Sequence, residues 1–78
     1  MSKIVIADVL YTKTDETFYV LNRTHENASK YYAETLEGTI SNLKADGWST
    51  CGKVQKSDYT AVDALTNGNL GYIAVWEE

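Results

Sequence analysis

Apolar and polar residues alternate at the start of the chain, and the period then changes. Ile4, Ile6 and Leu10 share one parity, and Val5, Ala7, Val9 and Tyr11 the other. That predicts a strand over Lys3–Tyr11 covered on one side and partly on the other. The polar run Thr12–Glu16 has hairpin length. Thr17–Asn22, with Phe18 and Val20 against Tyr19 and Leu21, predicts a second, antiparallel strand.

From His25 to Asp46 the period becomes helical. Ala28, Tyr32, Leu36, Ile40 and Leu43 recur at spacings of four, four, four and three. Glu26, Lys30, Glu34, Glu37, Ser41 and Lys44 then fall on the opposite face, with Glu26 and Lys30 as an i,i+4 pair. Thr24 is the expected N-cap and Gly47 the residue just past the end. Gly38 interrupts a boundary stripe of Tyr31, Thr35 and Asn42, where it permits close packing or leaves a notch for a partner.

Trp48–Lys56 alternates as a third strand, with Gly52 marking a bulge. Ser57–Leu65 suggests a short helix, because Tyr59, Val62 and Leu65 lie three apart. Thr66-Asn67-Gly68-Asn69 stops it, and Leu70–Trp76 is a last strand. The expected class is α+β in the order β-β-α-β-α-β. It is one compact domain over residues 1–78, with a four-stranded, mainly antiparallel sheet and one long helix packed on one face.

Composition narrows the function classes. Eleven acidic against seven basic residues give a net charge of −4. Nonspecific nucleic-acid binding needs the opposite balance, so a protein partner with a basic surface is expected and direct nucleic-acid contact is not. The apolar N-terminal run is broken at Asp8, short of a secretory core or a membrane span. A cytoplasmic location with no membrane contact follows as an expectation. The Asn-X-Ser/Thr triplets at Asn22 and Asn27 are then chance matches. One cysteine cannot form a disulfide within its chain and suits a reducing compartment. Six Tyr, two Trp and one Phe are more aromatic area than a thin core hides. A domain of this size buries only about 60% of its unfolded surface. Some rings should therefore serve an interface, including that of a homodimer.

The residue types that carry chemistry are sparse. His25 and Cys51 are single, and a thiolate pair would need them adjacent in space. One of each is too few for a structural zinc site, so no metal and no cofactor is expected. Asp15/Glu16 and Glu34/Glu37 occupy positions where solvated carboxylates are normal. Asp8 interrupts an apolar strand, which suits either a functional acid or a solvent-facing edge. Asn67–Gly71 holds two glycines but precedes a strand rather than the helix that a phosphate loop needs.

The step Leu43-Lys44-Ala45-Asp46-Gly47-Trp48 resembles the helix–Gly-Trp–strand junction of small bacterial and phage domains. In size, charge and element order the whole chain resembles small phage-encoded anti-defence and host-takeover proteins such as the anti-CRISPR proteins. That resemblance implies a noncatalytic inhibitor, not an enzyme, that binds a larger nucleic-acid-handling host protein. Glu26, Tyr31, Glu34 and Glu37 are the expected partner-binding residues, with the acids on the outer helix face and Tyr31 beside them. The alternative is an oligomer that sequesters a small ligand, such as a signalling nucleotide, between subunits.

Overall fold

The computed structural model describes residues 3–12, 17–55, 60–68 and 71–78. Strands β1 (Ile4–Thr12) and β2 (Thr17–Asn22) form the expected hairpin, paired antiparallel from Thr12–Thr17 to Asp8–Asn22. After a 3-10 turn at Ala28–Lys30 come helix α1 (Leu36–Ala45) and strands β3 (Ser49–Gln55), β4 (Ala61–Thr66) and β5 (Tyr72–Glu77). The strands follow one another around the sheet, and β5 returns to pair with β1, closing a barrel. The β1–β2, β3–β4, β4–β5 and β5–β1 pairings are antiparallel. The β2–β3 contact is parallel and consists of the single pair Thr17–Gln55.

Side-chain size explains why so few strands can close. Register places Ala7 beside Ala74, Ala74 beside Ala64, and Ala64 beside Gly52, so a ring of small residues crosses four strands. Larger residues flank this ring. Val5 lies opposite Trp76, and Val54 opposite Val62. Phe18 tilts against Trp76 with ring centroids 6.1 Å apart. Alternating small and large layers are how side chains fill the interior of a small barrel. Gly52 has φ +121°, and the register slips between Thr50 and Gly52, which is the expected bulge.

The opposite face of β1, β4 and β5 is covered as well. Ile6, Leu65, Ile73 and Val75 are buried with Leu43 and Trp48 and are flanked by Ile4, Leu36 and Ile40. The parity read from the sequence therefore divides β1 and β5 correctly between interior and outer layer. Gly47 follows the helix with φ +98°, a left-handed turn that sets Trp48 back onto the outer face.

The helices depart from expectation. The long helix over His25–Asp46 is a ten-residue helix starting at Leu36, capped by Thr35 and not by Thr24. The Thr35 hydroxyl accepts from Gly38 N–H at 3.0 Å, and the Thr39 hydroxyl accepts from Ala33 N–H at 3.1 Å. Asn42 Nδ2 donates to the Tyr31 carbonyl at 3.1 Å. These bonds fold residues 31–35 back along the helix instead of extending it. A Cβ on Gly38 would meet that of Ala33 at 3.0 Å, so the glycine admits the returning loop rather than a partner. Glu26 and Lys30 consequently lack α-helical spacing.

The second predicted helix is a strand, which makes five strands rather than four. Val62 and Ala64 enter the interior while Leu65 joins the outer layer. Pairing with β3 on one side and β5 on the other overrides the helix-forming composition of Ala61–Thr66. Residues 57–59 and Leu70, which belonged to predicted elements, lie outside the described residues.

Candidate binding surface

The buried polar centre of the molecule lies between β1 and the segment after β2. His25 N–H donates to the Ile6 carbonyl at 2.8 Å, which ties the chain back along β1. That bond buries the ring, places Nδ1 2.5 Å from Asp8 Oδ1 and sets it edge-on to Trp48 at 5.5 Å. Asp8 is thus not on a sheet edge, since β1 is paired with β2 and β5 on its two sides. Its carboxylate satisfies a buried histidine. Cys51 packs against the barrel interior, whereas His25 lies against the outer layer, so the Cys–His pair does not assemble. No group of three metal-ligating side chains occurs among the described residues.

The four expected partner-binding residues are not on one surface. Tyr31 is buried, and its hydroxyl donates to Asp46 Oδ2 at 2.5 Å. That hydrogen bond, together with burial, holds the phenol above its usual pKa. Tyr31 cannot serve as an exposed anchor, because the loop that replaces the predicted helix turns it inward. Tyr32, assigned by helical spacing to the core, is 43% exposed instead. Glu26, Glu34 and Glu37 are exposed. Glu37 sits in the first turn of α1, where a carboxylate also complements the helix dipole. Glu26 lines a different groove from Glu34. Asp15 and Glu16 lie outside the described residues.

The structure gathers a set that spacing could not show. Tyr32, Ala33 and Glu34 face Lys3, Ile4 and Glu77 across an open groove of about 480 Å³. Glu77 stands opposite Ile4 in the β5–β1 register, and the ladder is extended by paired backbone bonds between Lys3 and Glu78. Neighbouring Glu78 is engaged elsewhere, by an ion pair with Arg23 and a 3.1 Å bond from Trp76 Nε1. The groove therefore offers an exposed phenol, two carboxylates and one ammonium. A cationic side chain could lie over the ring with a carboxylate beside it.

A second groove of about 350 Å³ is lined by Asp8, Val9, Leu21, His25, Glu26, Gly71 and Tyr72. It also carries two carboxylates, one of them committed to His25. No helix among the described residues is long and apolar enough to cross a membrane. No protein-family model matches the chain, and no curated protein or solved structure shows significant similarity to it.

Proposed function

We propose that this protein is a noncatalytic binding module that inhibits a larger, nucleic-acid-handling protein by occupying its basic surface. The observation that carries this proposal is the exposed ring of Tyr32 lining one groove with Glu34 and Glu77, two carboxylates against the single ammonium of Lys3. Such a site suits an Arg or Lys that would otherwise bind phosphate. The overall charge of −4 speeds encounter with a basic partner, and the aromatic supplies affinity once docked. Glu37, exposed in the first turn of α1, adds a further carboxylate to the surface. In that role the protein would resemble phage anti-defence inhibitors of the anti-CRISPR kind, acting in the cytoplasm of a host cell.

The test compares the wild type with a Tyr32→Ala, Glu34→Lys, Glu77→Lys variant in affinity capture from host lysate. The wild type should retain a basic protein at low salt, release it at high salt, and suppress its nucleic-acid binding when added back. The variant should do none of these. Failure of the wild type to retain any partner at low salt would sink the proposal.

Sequestration of a nucleotide draws its support from the second groove, where Leu21 and Tyr72 could wall a base. Asp8 and Glu26 in the same groove would repel its phosphates. A thermal shift with any member of a nucleotide panel would restore it.

A further inference from the structure

We propose that the groove between β1, β5 and the His25 segment binds one organic cation, a primary ammonium or guanidinium group carried on a short apolar stem. The groove holds about 350 Å³, at the low end of small-ligand sites. It is separate from the Tyr32 groove. That one lies at the Ile4–Glu77 end of the β1–β5 ladder and this one at the Val9–Tyr72 end, roughly 17 Å along the strand.

His25 is the residue that points to a ligand. Its side chain is only 10% exposed. Nδ1 is taken by Asp8 Oδ1, and a carboxylate only accepts, so Nδ1 carries the proton and Nε2 of the neutral ring presents a lone pair. Nε2 has no hydrogen-bond partner among the described residues, yet none of their fully buried side-chain nitrogens or oxygens is left unsatisfied. Nε2 therefore reaches solvent, and the groove is the opening that this ring lines. An imidazole clamped at one nitrogen and bare at the other is an acceptor already fixed before a ligand arrives.

The neighbouring polar groups have the same sense. Asp8 is 33% exposed, and its second carboxylate oxygen has no partner among the described residues. Glu26 is exposed and forms no ion pair among them. No described Lys or Arg lines the groove, and Arg23, two positions before His25, pairs instead with Glu78 beyond the far end of the ladder. Three acceptors without an internal cation suit a head group that only donates, and they repel an anion. The stem has its own wall. Between Asp8–Asn22 and Val9–Val20 the register slips by one residue, and Leu21 is the extra one. This bulge leaves Leu21 68% exposed at the groove with Val9 and Tyr72, where an alkyl chain would cover it.

Titration of the isotope-labelled full chain with n-butylguanidinium, followed by two-dimensional NMR, tests this. The amides of Leu21, His25, Glu26 and Tyr72 should shift together, with a Kd on the order of 1 mM. Butanol and butyrate, with a neutral or anionic head on a similar stem, should bind at least about tenfold more weakly. Glu26→Lys should weaken butylguanidinium binding at least about fivefold and Leu21→Ala about threefold, each with an otherwise wild-type spectrum. A capped pentapeptide with a central arginine separates the two sources of such a head group. Tighter binding than butylguanidinium assigns the site to a partner's side chain, and equal or weaker binding assigns it to a free amine or guanidine. Tyr32→Ala should leave these shifts unchanged. Shifts confined to Tyr32, Glu34 and Glu77 would overturn this site and leave the proposed function standing. No saturable shift at His25 up to about 20 mM, equal affinity for butyrate, or wild-type binding by Glu26→Lys would overturn it too. Capture from lysate can fail while these shifts persist, so the two proposals fall separately.

Discussion

The outer face of the sheet is treated in two ways along the same strand. Under α1, Ile6 of β1 is fully buried with Leu43, Leu65, Ile73 and Val75. Two residues on, Asp8 binds His25, and two further on, Leu10 is exposed beside Tyr19. The apolar character of β1 hardly changes across this boundary, but its cover does. Residues 23–25 return along β1 only as far as the His25–Ile6 bond, and the chain then departs into the 3-10 turn. Hydrophobicity therefore means core at one end of the strand and exposed surface at the other. The polar Asp8–His25 pair marks the division.

That contrast breaks most sharply at the covered end. Leu43→Ala removes a fully buried side chain from the layer between helix and sheet. Such truncations cost about 2–5 kcal/mol, and a domain of this size has little more to lose. Chemical denaturation should show most of the stability gone, and a loss below about 1 kcal/mol would mean that α1 is not truly docked. At the boundary, Asp8→Ala leaves the buried His25 ring without its partner at Nδ1. The expected cost is about 1–3 kcal/mol, the penalty of an unsatisfied buried polar group. His25→Phe with Asp8→Ala together should recover much of it, because the polar demand then disappears with its donor.

Much of the covered region is readable from residue pattern alone. Period-two alternation separates Val5, Ala7 and Val9 from Ile6, and Ala74 and Trp76 from Ile73 and Val75, and only the closure of the barrel decides that the first set of each is the interior. Gly47 and Gly52 are readable because their positive φ values suit no other residue as well. The errors share one cause. Ala28–Tyr32–Leu36 and Tyr59–Val62–Leu65 have helical spacing, but local period says nothing about competing long-range bonds. The capping bonds of Thr35 and Thr39 end the first pattern, and the β3 and β5 ladders absorb the second. The loss of that helix exchanges Tyr31 and Tyr32 between surface and core. It also hides the groove from the sequence, since Glu77 reaches Tyr32 only through the β5–β1 register. The Asp8 and His25 signals were each visible, but their pairing spans seventeen positions and had no local sign.

A smaller effect separates the two tyrosines. Tyr31→Phe removes the hydroxyl bound to Asp46 and should cost about 0.5–1.5 kcal/mol at neutral pH. The folded state raises the pKa of this phenol, chiefly through the Asp46 bond. Its contribution is therefore complete below the unfolded phenol value of about 10 and is lost as pH climbs past that value toward the folded one. Melting curves of wild type and Tyr31→Phe should converge in that alkaline window. Tyr32→Phe, at an exposed ring, should stay within about 0.5 kcal/mol of the wild type at neutral pH.

The smallest effect is expected at the bare end, where Leu21→Ala deletes as many carbons as Leu43→Ala does. Leu21 has little cover within its own chain, so water already surrounds most of what is removed. At low protein concentration the change in unfolding free energy should stay within about 0.5 kcal/mol. The two melting temperatures should therefore nearly coincide, which thermal circular dichroism checks. A loss approaching that of Leu43→Ala would mean that this strand end is covered within the chain. Coincidence would show that cover within the chain, and not residue type, sets what each of the two leucines contributes to stability.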